Sequence, residues 1–188
     1  KNNIKIKKSL GQNFLFDINI TDKIVKKSEP IKQTIIEVGP GPGSLTRSIL
    51  KKNPNILFAI DKDTQTNKML ADLKLIYKDK LNIIINDALY YPIWKLGLPP
   101  RQVIANLPYN LATKMLISWL KHIHHFDSLT LMFQKEVADR IIAEFNTSSY
   151  GRLSILANWK LNINKICDVK PESFSPKPKI NSSLLFFT

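Results

Sequence analysis

Short apolar runs alternate with helically spaced segments along most of this chain, and that alternation restricts its fold more than any other feature. "TIIEVG" (34–39) is an apolar run stopped by glycine, and "SLTRSILKK" (44–52) follows with helical spacing at Leu45 and Ile49. "NILFAID" (55–61), "LNIIIND" (81–87), "RQVIAN" (101–106) and "SLTLMFQ" (128–134) read as further strands, with helices expected over 66–78, 112–120 and 135–145. A strand that returns after each helix pairs in parallel with the strand before it, its crossover helices covering both faces of the sheet. A short amphipathic helix is expected ahead of these at "NITDKIVKKS", capped by Asn19 or Asp17. A final apolar strand follows the proline-punctuated loop of "FSPKPKINSSLLFFT". No internal repeat and no linker divides the 188 residues, so the expectation is one α/β domain with a central, mostly parallel sheet.

In such sheets a ligand lies beyond the carboxyl ends of the strands. The non-apolar residues collect there: Glu37 and Gly39 at the first strand, Asp61 at the second, Asp87 at the third and Asn106 at the fourth. They share one rim. Between the first strand and its helix stands "EVGPGPG" (37–43). Glycines permit a tight turn and close approach of a ligand to the backbone, which suits a dinucleotide loop, an S-adenosylmethionine loop or merely a tight turn. Pro40 and Pro42 have no N–H to donate, so the loop is a poor cradle for pyrophosphate. A cofactor that approaches with a carboxylate, an ammonium and a sulfonium loses less. Asp61 is placed to accept from both ribose hydroxyls, with an exposed turn acid beside Asp63 as the alternative. Asp87 is placed to accept from an adenine amino group, with an ordinary cap as the alternative.

"NLPYN" (106–110) ends the fourth strand in an amide, a rigid turn and an aromatic. The exocyclic amine of a nucleobase is a weak nucleophile, because its lone pair is delocalised into the ring. A catalyst that methylates it must supply acceptors that draw the nitrogen towards tetrahedral geometry. The Asn106 side-chain oxygen and the Leu107 carbonyl suit that task, Pro108 fixes the turn, and Tyr109 offers a face for a flipped base. A bland turn before a core tyrosine is the alternative.

Lys and Arg total 28 against 15 Asp and Glu, and the resulting formal charge of +13 points to an anionic partner, most often nucleic acid. Compositional drift towards Lys, Ile and Asn is the other reading. Lys135, Arg140 and Arg152 are candidates for phosphate contacts, or else solvated surface. Cys167 is the single cysteine, which excludes an intramolecular disulfide and paired thiol ligands for zinc. "HIHH" (122–125) lacks companion acids or cysteines at metal-ligand spacing, so its histidines are expected to meet the last carbonyls of a helix. The basic start "KNNIKIKKSLGQNF" lacks the apolar core of a secretory signal and no run approaches a membrane span, so a soluble protein of a reducing cytoplasm is expected.

At these motifs the chain resembles the ribosomal RNA adenine N6,N6-dimethyltransferases of the KsgA type. The likeness runs in order through "SLGQNFL" (9–15), "EVGPGPGSLT" (37–46), "AIDKD" (59–63), "NDAL" (86–89), "NLPYN" (106–110), "FQKEVADR" (133–140), "YGRLS" (150–154) and "SFSPKPKINS" (173–182). The resemblance implies a Rossmann-like class I methyltransferase fold and S-adenosylmethionine as cofactor. It implies that Gln12, Asn13 and Leu15 close over that cofactor, that Gly39 and Gly41 lie against its methionine part, and that Asp61 and Asp87 hold ribose and adenine. Asn106, which also faces the cofactor, Leu107, Pro108 and Tyr109 would handle the target adenine, with Phe174 stacking on its opposite side. The family usually has Glu where Asp61 stands here, one methylene longer. Its members commonly carry a further small helical domain, which is not seen after the last strand, so 1–188 is expected to be the catalytic domain.

The implied reaction is dimethylation of two adjacent adenosines near the 3′ end of small-subunit ribosomal RNA, within a pre-ribosomal particle and by a monomer. The sister group that methylates large-subunit RNA and confers macrolide resistance is the nearest alternative. A non-enzymatic RNA-binding assembly or transcription factor on the same fold is a second. A nicotinamide oxidoreductase is the third, disfavoured by Pro40 and Pro42.

Overall fold

A seven-stranded sheet organises the computed structural model, which describes residues 13–188. In chain order the elements are β1 (Phe14–Leu15), α1 (Ile18–Lys27), β2 (Thr34–Val38), α2 (Ser44–Lys51), β3 (Ile56–Asp61), α3 (Thr66–Met69), α4 (Ala71–Ile76) and β4 (Leu81–Ile85). They continue with β5 (Arg101–Ala105), α5 (Tyr109–Leu120), β6 (Ser128–Gln134), α6 (Lys135–Ile141), α7 (Arg152–Lys160), β7 (Ile163–Val169), β8 (Phe174–Ser175) and β9 (Ser182–Phe187). The strand order is β4-β3-β2-β5-β6-β9-β7. β4, β3, β2, β5 and β6 are parallel, and β9 enters antiparallel between β6 and β7. The order reverses between β2 and β5, which is where a ligand crevice opens in such sheets.

Central strands in a sheet covered on both faces read as unbroken apolar runs rather than alternating ones. β2 is buried at every position, and β6 at all but its last. One core layer gathers Val103, Leu116, Trp119, Phe133 and Phe187, and the other Ile24, Ile49, Leu57, Leu70 and Leu184. Of the two caps expected for α1, Asn19 and Asp17, it is Asp17 whose carboxylate accepts the Asn19 and Ile20 N–H groups, at 2.9 and 3.4 Å, while Asn19 lies inside the helix.

The structure departs from the sequence reading in definite places. The helix expected over 66–78 is split at Leu70, a fully buried side chain whose backbone leaves helical geometry. α5 starts at Tyr109, not 112. Pro108 has φ −57° and no N–H to lose, so its carbonyl already accepts from Leu111 and Ala112 at 2.9 Å each. α6 stops at Ile141 instead of 145, and Asn146 turns the following chain with φ 68°. α7 and β7 were not expected. α7 hides from a periodicity test because its small residues Ser154 and Ala157 face inward while Ile155, Leu156 and Trp159 are exposed. β7 is the polar edge of the sheet, its Lys165 paired with Asp168 at 2.8 Å. The β1–β8 pair, with Phe14 opposite Ser175 and Leu15 opposite Phe174, is too short to leave a pattern.

Candidate active site

The carboxyl ends of β2, β3, β4 and β5 surround a cavity of about 910 Å³ including its open mouth. Glu37, Gly39, Asp61, Asp87 and Asn106 all line it, as the strand-end argument expected. Asn13, Leu15, Leu107, Pro108 and Tyr109 line it as well. Gln12 lies outside the described residues. The fold thus gathers the described candidates for cofactor and target base around one cavity, all but two of them in its lining.

Gly41 is absent from the lining. Its φ is +51°, and a Cβ there would sit 2.6 Å from the Phe14 ring. The glycine makes room for Phe14, which itself borders the cavity. Phe174 is the second exception. It is 5% exposed and belongs to the core layer with Leu15, its partner across the β1–β8 pair. In this arrangement Phe174 is a packing residue and offers no face to a base.

Two tight conformations shape the loop after β2. Gly39 has φ +70°, a region disfavoured for side chains, and its N–H donates to the Ile60 carbonyl at 2.9 Å. The Gly43 N–H then closes a turn on the Pro40 carbonyl at 3.0 Å. Pro40 and Pro42 both border the cavity, so this part of the wall presents ring carbons where a phosphate loop would present N–H donors.

Glu37 is the most unusual acid. It is 1% exposed, both carboxyl oxygens lack a hydrogen-bond partner, and it borders the cavity. Burial pushes its carboxyl up to about 8; the nearby Thr46 hydroxyl and N–H, too poorly aligned to form a full hydrogen bond, oppose the shift, and Asp61 adds to it through like charge. A buried, unpartnered acceptor is costly unless a donor or cation joins it. Its presence in the wall fits a cofactor carrying an ammonium group. Sequence reading placed Glu37 on the rim without giving it a role.

Asp61 accepts the Asp63 N–H at 2.9 Å. Burial raises its pKa above the ordinary range, against hydrogen bonds from the Asp63 backbone, the Thr66 side chain and the Gly41 backbone. Asp61 is half-buried, so it is not the exposed turn acid of its alternative reading, and Asp63 beside it is 3% exposed and accepts the Gln65 N–H at 3.1 Å. Asp87 caps the turn after β4 and borders the cavity. One oxygen accepts the Leu89 N–H at 3.0 Å, and the other lies 3.9 Å from the Lys62 ammonium.

On the far wall the Asn106 Nδ2 donates to the Asn13 carbonyl at 3.1 Å, which leaves Oδ1 as the side-chain atom available to accept. Leu107 buries its side chain, and Tyr109 opens α5 with its ring half-buried. The Tyr109 hydroxyl lies 2.5 Å from the Ser182 hydroxyl on β9. Lys135 is engaged by Asp139 at 2.6 Å, and the Ser154 hydroxyl and Asn158 amide bind the Arg140 and Ile141 carbonyls at the end of α6. The "YGRLS" segment thus serves α6 through its serine. Among the described residues the His122 ring stacks on Trp94 with centroids 3.7 Å apart, and His124 lies against His125 at 4.1 Å, in place of the expected contacts with helix carbonyls. Among the described residues, no group of three or more His, Cys, Asp and Glu could hold a metal ion, and no helix is long and apolar enough to cross a membrane.

Residues 3–187 match the family model for ribosomal RNA adenine dimethylase. Over 98% of its length the chain is 50% identical to the ribosomal RNA small subunit methyltransferase A of Pelagibacter ubique, covering 71% of that protein. Over 95% of its length it is 45% identical to the protein of that name from Rhodospirillum rubrum, covering 62% of it. Among solved structures, a dimethyladenosine transferase from Plasmodium falciparum superposes with a TM-score of 0.82 at 28% identity, covering 93% of this chain and 62% of that one. The 23S rRNA methyltransferase ErmE gives a TM-score of 0.76 at 23% identity over 93% of this chain and 69% of its own, a likeness of fold. The class I methyltransferase fold expected from the motifs is the fold observed.

Proposed function

Because the chain belongs to the ribosomal RNA adenine dimethylase family, we propose that it transfers methyl groups from S-adenosylmethionine to N6 of adenine in small-subunit ribosomal RNA. The substrate is two adjacent adenosines near the 3′ end, each methylated twice, met within a pre-ribosomal particle in the cytoplasm by a monomer. Residues 1–188 form the catalytic unit. The observation that carries this reading is the single cavity that joins the Glu37, Asp61 and Asp87 carboxyls to the Asn106–Tyr109 turn.

S-adenosylmethionine, when bound, would supply an electrophilic methyl on a sulfonium, whose sulfur would leave as a neutral thioether as the S–CH3 bond breaks. The residues present suit it. Glu37 gives a buried acceptor for its ammonium, Asp61 acceptors for ribose hydroxyls and Asp87 an acceptor near adenine, while Asn13, Leu15 and Gly39 form the surrounding wall. At the target base, the Asn106 Oδ1 and the Leu107 carbonyl accept from the N6–H groups and draw the lone pair out of conjugation as the bond to carbon forms. The displaced proton leaves to water. Pro108 holds the turn, and the Tyr109 ring provides the stacking face.

The relatives named for the small subunit, at 40–50% identity, support that substrate over large-subunit RNA, and intact Asn106, Tyr109 and rim acids argue against a binding-only protein. The test is transfer of radiolabelled methyl to small ribosomal subunits lacking the modification, with mass spectrometry of the digested nucleosides. N6,N6-dimethyladenosine is the expected product. Cofactor binding without any methylated adenosine in the digest would overturn the substrate assignment.

A further inference from the structure

From the contact between β9 and the first turn of α5 we infer that Ser182 is a positioning residue for methyl transfer, holding the Tyr109 ring at the angle in which it receives the target base. This rests on the reading of Tyr109 as the stacking surface. Tyr109 borders the cavity and Ser182 does not, so Ser182 acts through Tyr109 and not on a ligand. Their hydroxyls are 2.5 Å apart, and Ser182 is 0% exposed.

Ser182 is a rigid anchor. It lies opposite Gln134 of β6 on one side and Val169 of β7 on the other. Its neighbours are tied as well. The Asn181 carbonyl accepts the Lys135 N–H at 2.9 Å, and the Ser183 hydroxyl donates to Asp168 at 2.6 Å. Tyr109, by contrast, stands at a helix start with no side-chain cap, where χ1 and χ2 alone would leave the ring free to swing. Fastening the far end of the ring to the sheet removes that freedom. The hydroxyl then serves as a tether, while the residue still borders the cavity. Loss of the tether leaves the ring in place chemically but no longer pre-oriented, a defect that falls on the step in which the base is seated.

The test compares wild type, Ser182→Ala, Tyr109→Phe and the double variant, which approach the same bond from both ends. Protein labelled with 3-fluorotyrosine gives a Tyr109 resonance, assigned by its disappearance in Tyr109→Phe. Each single variant is expected to lower kcat/KM for RNA by about 10- to 100-fold, the double variant to be no worse than the singles, and the cofactor Kd to stay within twofold. Ser182→Ala is expected to shift and broaden the Tyr109 resonance. The proposal is overturned if Ser182→Ala leaves that resonance or kcat/KM unchanged, or if the two substitutions multiply independently. Should wild type transfer no methyl while Ser182→Ala still moves the resonance, the methyl-transfer reading falls and the tether stands.

Discussion

The side-chain amide of Asn106 donates to the backbone carbonyl of Asn13 at 3.1 Å, joining the end of β5 to the residue before β1. This bond sets which end of the amide accepts. It also couples the wall on which the cofactor is proposed to lie to the group proposed to hold the target amine.

Asn106→Ala removes the acceptor and the link together. Turnover is expected to fall by about 100-fold or more, the scale for losing one preorganised polar group at a reacting centre. Cofactor affinity, measured by calorimetry, should change far less, since Glu37, Asp61 and Asp87 remain. Asn106→Asp should fare no better, because a carboxylate there faces the Asn13 carbonyl with no donor. Turnover within threefold of wild type in either variant would remove Asn106 from the mechanism.

The strands and the rim were legible because they obey simple rules: buried parallel strands are continuous apolar runs, and their carboxyl ends carry the polar residues. Asp61, Asp87 and Asn106 were found that way. The misplacements have one physical source, contacts made between segments distant in sequence. Nothing local shows that Gly41 makes room for Phe14, from a strand 27 positions earlier in the numbering. The stacking role of Phe174 comes from the family resemblance alone, and its pairing with Leu15 places it in the core layer of this structure. α7 was missed because its exposed face carries the large apolar side chains.

Gly41→Ala should therefore act through packing. The added Cβ meets the Phe14 ring at 2.6 Å and φ is +51°, so both crowding and backbone strain apply. A loss of about 1–3 kcal/mol is expected by urea denaturation, with a weaker cofactor affinity as β1 is pushed from the wall. Phe14→Ala in the same chain should restore part of what crowding removes. Additive losses in the pair would show that backbone strain alone is responsible.

Ser154 gives a prediction away from the cavity. Its buried hydroxyl donates to the Arg140 carbonyl at 2.6 Å and accepts the Gly151 N–H at 3.2 Å. Ser154→Ala leaves a helix-end carbonyl without that donor, and a loss of about 1–3 kcal/mol is expected. Trp159→Ala on the same helix, where the side chain is 75% exposed, should change stability by no more than about 0.5 kcal/mol. Reversal of that order in thermal unfolding would mean that α7 is held by its outer face instead.

Glu37 makes stability depend on pH in a direction opposite to that of a salt-bridged acid. Its carboxyl is pushed from an ordinary 4.5 up to about 8 by burial. Below 4.5 the group is protonated in both folded and unfolded chains, so it contributes no slope. Between 4.5 and about 8 the unfolded chain has released this proton and the folded chain keeps it, so folding loses about 1.4 kcal/mol per pH unit. Asp61, also raised by burial, adds a slope of the same sign. Glu37→Gln is close in shape and cannot ionise. It should match wild type near pH 5 and exceed it in denaturation midpoint at pH 8, with a flatter profile between. Parallel profiles for the two proteins would show that Glu37 ionises normally in the fold, and with that the argument that the cavity wall awaits a cation would lose its support.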